Sequence, residues 1–91
     1  MLKLVASKMF RQDAKDVLKT DFRIETLADC VSKIQSEETL DKKYCDHALY
    51  GVFEGFRECY VAPKYKLIYS VVDDCVILFR FKDISRKSAT W

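Results

Sequence analysis

Proline, glycine, histidine and tryptophan are all scarce in this chain: one Pro, two Gly, one His and one Trp among 91 residues. So little Pro and Gly excludes a linker-rich or low-complexity segment, and 49% hydrophobic residues supply a core, so one folded domain is expected over residues 1–91. No apolar run approaches the roughly 18 residues of a spanning helix. Met1-Leu2-Lys3-Leu4 turns polar too soon for a signal peptide, so a cytoplasmic protein without a membrane partner is expected. The four cysteines, Cys30, Cys45, Cys59 and Cys75, form no CxxC pair and have a single His for company, which argues against a zinc site and a redox motif. No metal and no cofactor is expected. Free, mostly buried thiols fit the pattern better.

The formal net charge of +2 hides an asymmetry. Residues 1–59 carry 10 Lys/Arg against 11 Asp/Glu, whereas residues 60–91 carry 6 against 3. Positive charge collects in the C-terminal third, where an anionic partner would meet it.

Leu2, Leu4 and Ala6 alternate with Lys3 and Val5, which predicts a short strand, and Ser7 can then cap a helix. Phe10, Ala14, Val17 and Leu18 form one apolar stripe of a helix ending near Thr20. Asp21 begins the turn to a second helix, striped by Ile24, Leu27, Ala28, Val31 and Ile34. From Glu37 to Gly55 the periodicity dissolves, and so long an irregular segment in a compact domain is functional or mobile. Three strands follow, Phe56–Ala62, Tyr65–Val72 and Cys75–Phe81, broken at Pro63 and at the turn Asp73-Asp74. Alternation assigns Arg57, Cys59, Val61, Leu67, Tyr69, Val71, Ile77, Phe79 and Phe81 to the covered face, and Glu58, Tyr60, Lys66, Ser70, Arg80 and Lys82 to the other. The predicted architecture is α+β, in the order β-α-α-β-β-β. Its sheet is antiparallel with the first strand at one edge, and the helical hairpin lies on one face. Val72 and Val76 should lie exposed beside the cationic face, leaving part of it to be covered by a bound partner.

Asp46-His47-Ala48-Leu49-Tyr50-Gly51, Phe56-Arg57-Glu58-Cys59, Pro63 and Leu67-Ile68-Tyr69 resemble the middle of YafQ-type toxins of the RelE superfamily, most densely between Asp46 and Arg80. The resemblance implies the RelE-like fold and the toxin component of a type II toxin-antitoxin system. It implies a metal-independent, ribosome-dependent mRNA endoribonuclease that inhibits translation. It also implies a cognate antitoxin as partner, mRNA on the ribosome as substrate, and operator DNA touched only through the antitoxin. The chain departs from the family at three places: Tyr60 stands where the family carries His, Lys64 where it carries Asp, and its C-terminal His has no counterpart. Those departures open an alternative, a toxin-fold protein with altered or lost chemistry that binds its antitoxin and acts in autoregulation. The gyrase-directed ParE branch shares the fold, but the two motifs around His47 and Arg57 speak against it.

Metal-free RNA cleavage needs a base for the 2′-OH, an acid for the leaving 5′-oxygen and cations against the charge developing on phosphorus. By the resemblance, His47 is the proton-transfer residue; the plainer alternative is a loop His bonded to a backbone carbonyl. Tyr60, Lys64, Lys66 and Arg86 complete the catalytic set the resemblance implies. Tyr65, Arg80, Lys82 and Trp91 are the candidates for RNA binding, with Tyr65 stacking on a base and Trp91 alternatively docking the tail. Arg57 is expected to be structural, pinning the Glu37–Gly55 loop through backbone carbonyls, because a charge on the covered face must be paired.

Overall fold

The structure, a computed structural model, is described for residues 1–85. Arg86 and Trp91 lie outside the described residues. The elements run β1 (Lys3–Ala6), α1 (Lys8–Val17), α2 (Ile24–Gln35), β2 (His47–Ala48), β3 (Arg57–Ala62), β4 (Tyr65–Val72) and β5 (Cys75–Asp83). Single 3-10 turns at Lys42–Tyr44 and Gly51–Phe53 flank β2. Ser7 caps α1 by accepting from the Phe10 amide at 3.0 Å. Phe10 and Val17 from α1, and Leu27, Cys30, Val31 and Ile34 from α2, bury one core with Cys59, Leu67, Tyr69, Leu78 and Phe81 of the sheet. The α+β class, the two helices on one face and the edge position of β1 are as the periodicity predicts.

The pairing differs in one respect. Sheet order is β1-β5-β4-β3-β2, and β1 runs parallel to β5, so the sheet is mixed and not antiparallel throughout. Side-chain alternation reports which face a residue takes and is silent on strand direction, which the crossover through α1 and α2 decides here. β2 adds a fifth strand of only two residues, too short to leave a period.

A second correction concerns β5. Ile68 pairs with Arg80 but Tyr69 pairs with Leu78, so Phe79 is an extra residue at a bulge. The alternation inverts there: Phe81 on one side and Val76 and Leu78 on the other all face the helices. Ile77 and Phe79 are thereby taken off the core face, and Val76, expected at the surface, is fully buried. The third correction is the cover of the second face, part of which the chain supplies itself. The Phe53 and Phe56 rings pack on Phe79 with centroids 6.4 and 4.9 Å away, and the Ser70 hydroxyl donates to the Gly55 carbonyl at 2.8 Å. Ile68 and Ser70 are buried under that loop.

Candidate active site

Asp46 ties the loop that carries His47 to the sheet. Its carboxylate accepts from Arg57 Nη2 at 2.9 Å and Nε at 3.2 Å, and from the Tyr69 hydroxyl at 2.5 Å. Arg57 is structural as expected, but it grips a carboxylate where backbone carbonyls were anticipated, because a bidentate fork matches a carboxylate better. Burial first, and the Asp46 carboxylate second, push the Tyr69 hydroxyl well above its ordinary value, so it remains a donor. Cys45, just before, takes a left-handed conformation at φ 49° that turns its carbonyl toward the ring of His47.

That carbonyl contacts His47 Nδ1 at 2.6 Å. A carbonyl can only accept, so Nδ1 carries a proton and Nε2 is left for chemistry. Nε2 lies 3.1 Å from Glu58 Oε2, and the other Glu58 oxygen lies 2.9 Å from Lys66 Nζ. Glu58 is nearly buried, with 10% of its side chain exposed, while His47 keeps 49% open to solvent. The register explains the meeting: His47 faces Glu58 across β2 and β3, and Tyr60 faces Lys66, which in turn faces Lys82, across β3, β4 and β5. An exposed imidazole, a cation and a phenol thus share one patch, ordered around a carboxylate.

Arg80 and Lys82 belong to a second cluster. β1 covers β5 only from Cys75 to Leu78, and beyond that point Asp13 of α1 takes over, accepting the Phe81 amide at 3.0 Å. The same carboxylate accepts from Arg80 Nε at 2.7 Å and pairs with Lys82 Nζ at 3.2 Å. Burial alone would raise the Asp13 carboxyl, but the Arg80, Phe81 and Lys82 donors outweigh it and hold the group below the ordinary carboxylate range.

Of the candidates from sequence, His47, Tyr60 and Lys66 come together, with Arg80 and Lys82 on neighbouring positions of the same sheet. Lys64 stands apart in the turn after β3, its ammonium 5.6 Å from the centroid of the Tyr65 ring. Tyr65 is a correction. Only 6% of it is exposed, and its ring packs on Phe22 at 4.6 Å and Phe81 at 6.3 Å, so its faces are taken and it is not placed to stack on a base. It opens β4 on the core-facing phase, with its hydroxyl 3.3 Å from that of Thr20. Two residues that organise the clusters were not singled out from sequence. Asp13 sits inside the apolar stripe of Phe10, Ala14 and Val17, which is the signal of a buried, paired carboxylate; Glu58 is an acid within the cationic face. His47 and Glu58 could donate to a metal, but among the described residues no group of three such ligands is formed. Of the cysteines, Cys30 and Cys59 are buried with sulfurs 3.9 Å apart, whereas Cys45 is exposed and Cys75 half-buried.

Two helices against a five-stranded mixed sheet are the α+β fold of YafQ- and RelE-like structures. The chain belongs to the YafQ family, bacterial toxins of type II toxin-antitoxin systems, which it matches over residues 2–86. A copper-bound mutant toxin from Helicobacter pylori is 38% identical, with a TM-score of 0.88 over 93% of this chain and 97% of that one. A metal-bound toxin from the same organism is 33% identical, with a TM-score of 0.86 and the same shares covered. YafQ of Escherichia coli in its complex with DinJ is 23% identical, with a TM-score of 0.83 over 98% and 100% of the two chains, a likeness of fold. No curated protein sequence matches significantly. Among the described residues no helix is long and apolar enough to cross a membrane.

Proposed function

We propose that this toxin is a metal-independent endoribonuclease that cuts mRNA on the ribosome and is held inactive by a cognate antitoxin. The observation that carries the reading is the placement of His47. Its Nδ1 is fixed by the Cys45 carbonyl, its side chain is half-exposed, and its Nε2 meets one oxygen of Glu58 while Lys66 meets the other. In the cleavage, the 2′-oxygen of the RNA attacks phosphorus and loses its proton. The bond to the 5′-oxygen breaks and that oxygen gains a proton, leaving a 2′,3′-cyclic phosphate. His47 Nε2 is the proton-transfer group. Lys66, with the Tyr60 hydroxyl as a donor, opposes charge on the phosphoryl oxygens; Arg86 retains the phosphate-binding role assigned from sequence. Glu58 orients both sides, since a carboxylate accepts from Nε2 only while that nitrogen carries a proton.

The antitoxin reading draws on family membership and on the E. coli complex. Its segment would lie along the cationic face, where Lys66 and Lys82 are already engaged by Glu58 and Asp13, so an acidic partner must compete with internal carboxylates. A second reading, a toxin whose nuclease chemistry has been altered, is favoured by one observation: Lys64, at the position of the family Asp, sets its ammonium over the ring of the buried Tyr65. Primer extension on a translated message decides between them. Wild type should cut and His47→Ala should cut about 100- to 10,000-fold more slowly. Cutting by His47→Ala at the wild-type rate would move the chemistry to the Lys and Tyr residues, and no cutting by wild type would favour the second reading.

A further inference from the structure

The outer side of α1 carries a ridge of one sign. Lys8, Arg11 and Lys15 are exposed and follow at i, i+3 and i+7, and Lys19 continues the line in the next turn. At 100° per residue Lys8, Arg11 and Lys15 fall on one side of the helix, and Lys19 stands in the turn that follows it. Only Lys15, in the last turn, is favoured by the helix itself. Lys8 stands in the first turn, where the helix dipole disfavours a cation, and no acid is present in that turn to offset it. Arg11 and Lys15, four apart, repel each other, as like charges do at that spacing. The carboxylates of the helix do little to relieve this. Asp13 is buried with Arg80 and Lys82, and Asp16 reaches Lys19 only at 4.0 Å on an exposed surface. A face evolved only for solubility intersperses both signs.

We propose that this ridge docks the sugar–phosphate backbone of RNA, at a place distinct from the patch around His47. A line of cations flanked by only Met9 and Leu18 lacks the apolar centre of a protein interface, whereas phosphates need only positioned charge. The inference does not depend on the nuclease reading, since binding can persist where cleavage fails.

The test uses the full chain and a fluorescein-labelled 2′-O-methyl RNA strand of roughly 20 nucleotides, which lacks the free 2′-OH needed for cleavage, titrated between about 50 and 200 mM salt. Changing Lys8, Arg11, Lys15 and Lys19 together to Gln should flatten the plot of log affinity against log salt by about 3, at roughly 0.7 per cation. Lys8→Gln with Arg11→Gln alone should flatten it by about 1.4. The melting temperature should hold or rise, as a repulsive ridge is being removed. Unchanged affinity and slope in both variants would overturn the proposal. So would RNA binding that survives while binding of a poly-glutamate chain is lost, which would make the ridge a face for an acidic protein.

Discussion

Asp13 and Glu58 are two buried carboxylates, each set between two basic side chains, and they do opposite work. Asp13 receives an Arg, a Lys and a backbone amide, all from β5, and thereby closes the sheet edge where β1 runs out. Glu58 receives His47, half-exposed on the two-residue β2, and Lys66 of β4. Donors that include main chain make a structural joint. Donors that are all side chains, one of them a half-exposed imidazole, make a site. Type of residue does not separate the two roles; the company each carboxylate keeps does.

Removing the carboxylates should split these roles apart. The largest effect is expected for Asp13→Ala, which removes the buried carboxylate shared by Arg80, Lys82 and the Phe81 amide and should cost about 3–5 kcal/mol in urea unfolding. Cleavage per folded molecule should be nearly unchanged. Glu58→Gln keeps the shape and should cost less than about 1.5 kcal/mol of stability, yet slow cleavage about tenfold as His47 loses its orienting charge. Equal stability losses in the two variants would erase the distinction.

Acid should reveal the same contrast. Asp13 has a folded-state pKa below its ordinary value of 3.8, so its contribution is complete above that pH and is lost as pH falls below it toward the folded value. Asp13→Asn should therefore flatten the fall in stability of the wild type below about pH 4. The smallest effect belongs to Tyr65→Phe, which gives up only the contact with the Thr20 hydroxyl and should cost under about 1 kcal/mol. A loss of RNA affinity in that variant would reinstate Tyr65 as a contact to a base.

Much of this was legible in the chain. Both helices, the last three strands, their turns and the grouping of His47 with Tyr60 and Lys66 follow from periodicity and from the motif around His47. What escaped is non-local. The parallel partner of β1 lies some seventy residues away. The pairing of Glu58 with His47 depends on a two-residue strand. The α1 ridge vanishes in a sum of charge over residues 1–59 because acids spread through both helices and the Glu37–Gly55 segment cancel it. Tyr65 was misplaced for a different reason: an aromatic beside a charged turn reads as exposed until its strand phase is traced back to Leu67.

The bulge at Phe79 makes β5 a strand written in two phases. Before it, even-numbered residues enter the core; after it, odd-numbered ones do, which is how Phe81 is buried while Arg80 and Lys82 reach the cationic face. Drawing Phe79 into a regular ladder would swap Arg80 with Phe81 across the sheet, whereas deleting it would leave Leu78, Arg80 and Phe81 in unbroken alternation on their present faces. One supernumerary residue thus acts as a reading-frame marker for the strand, and the chemistry of the second face depends on that frame being kept.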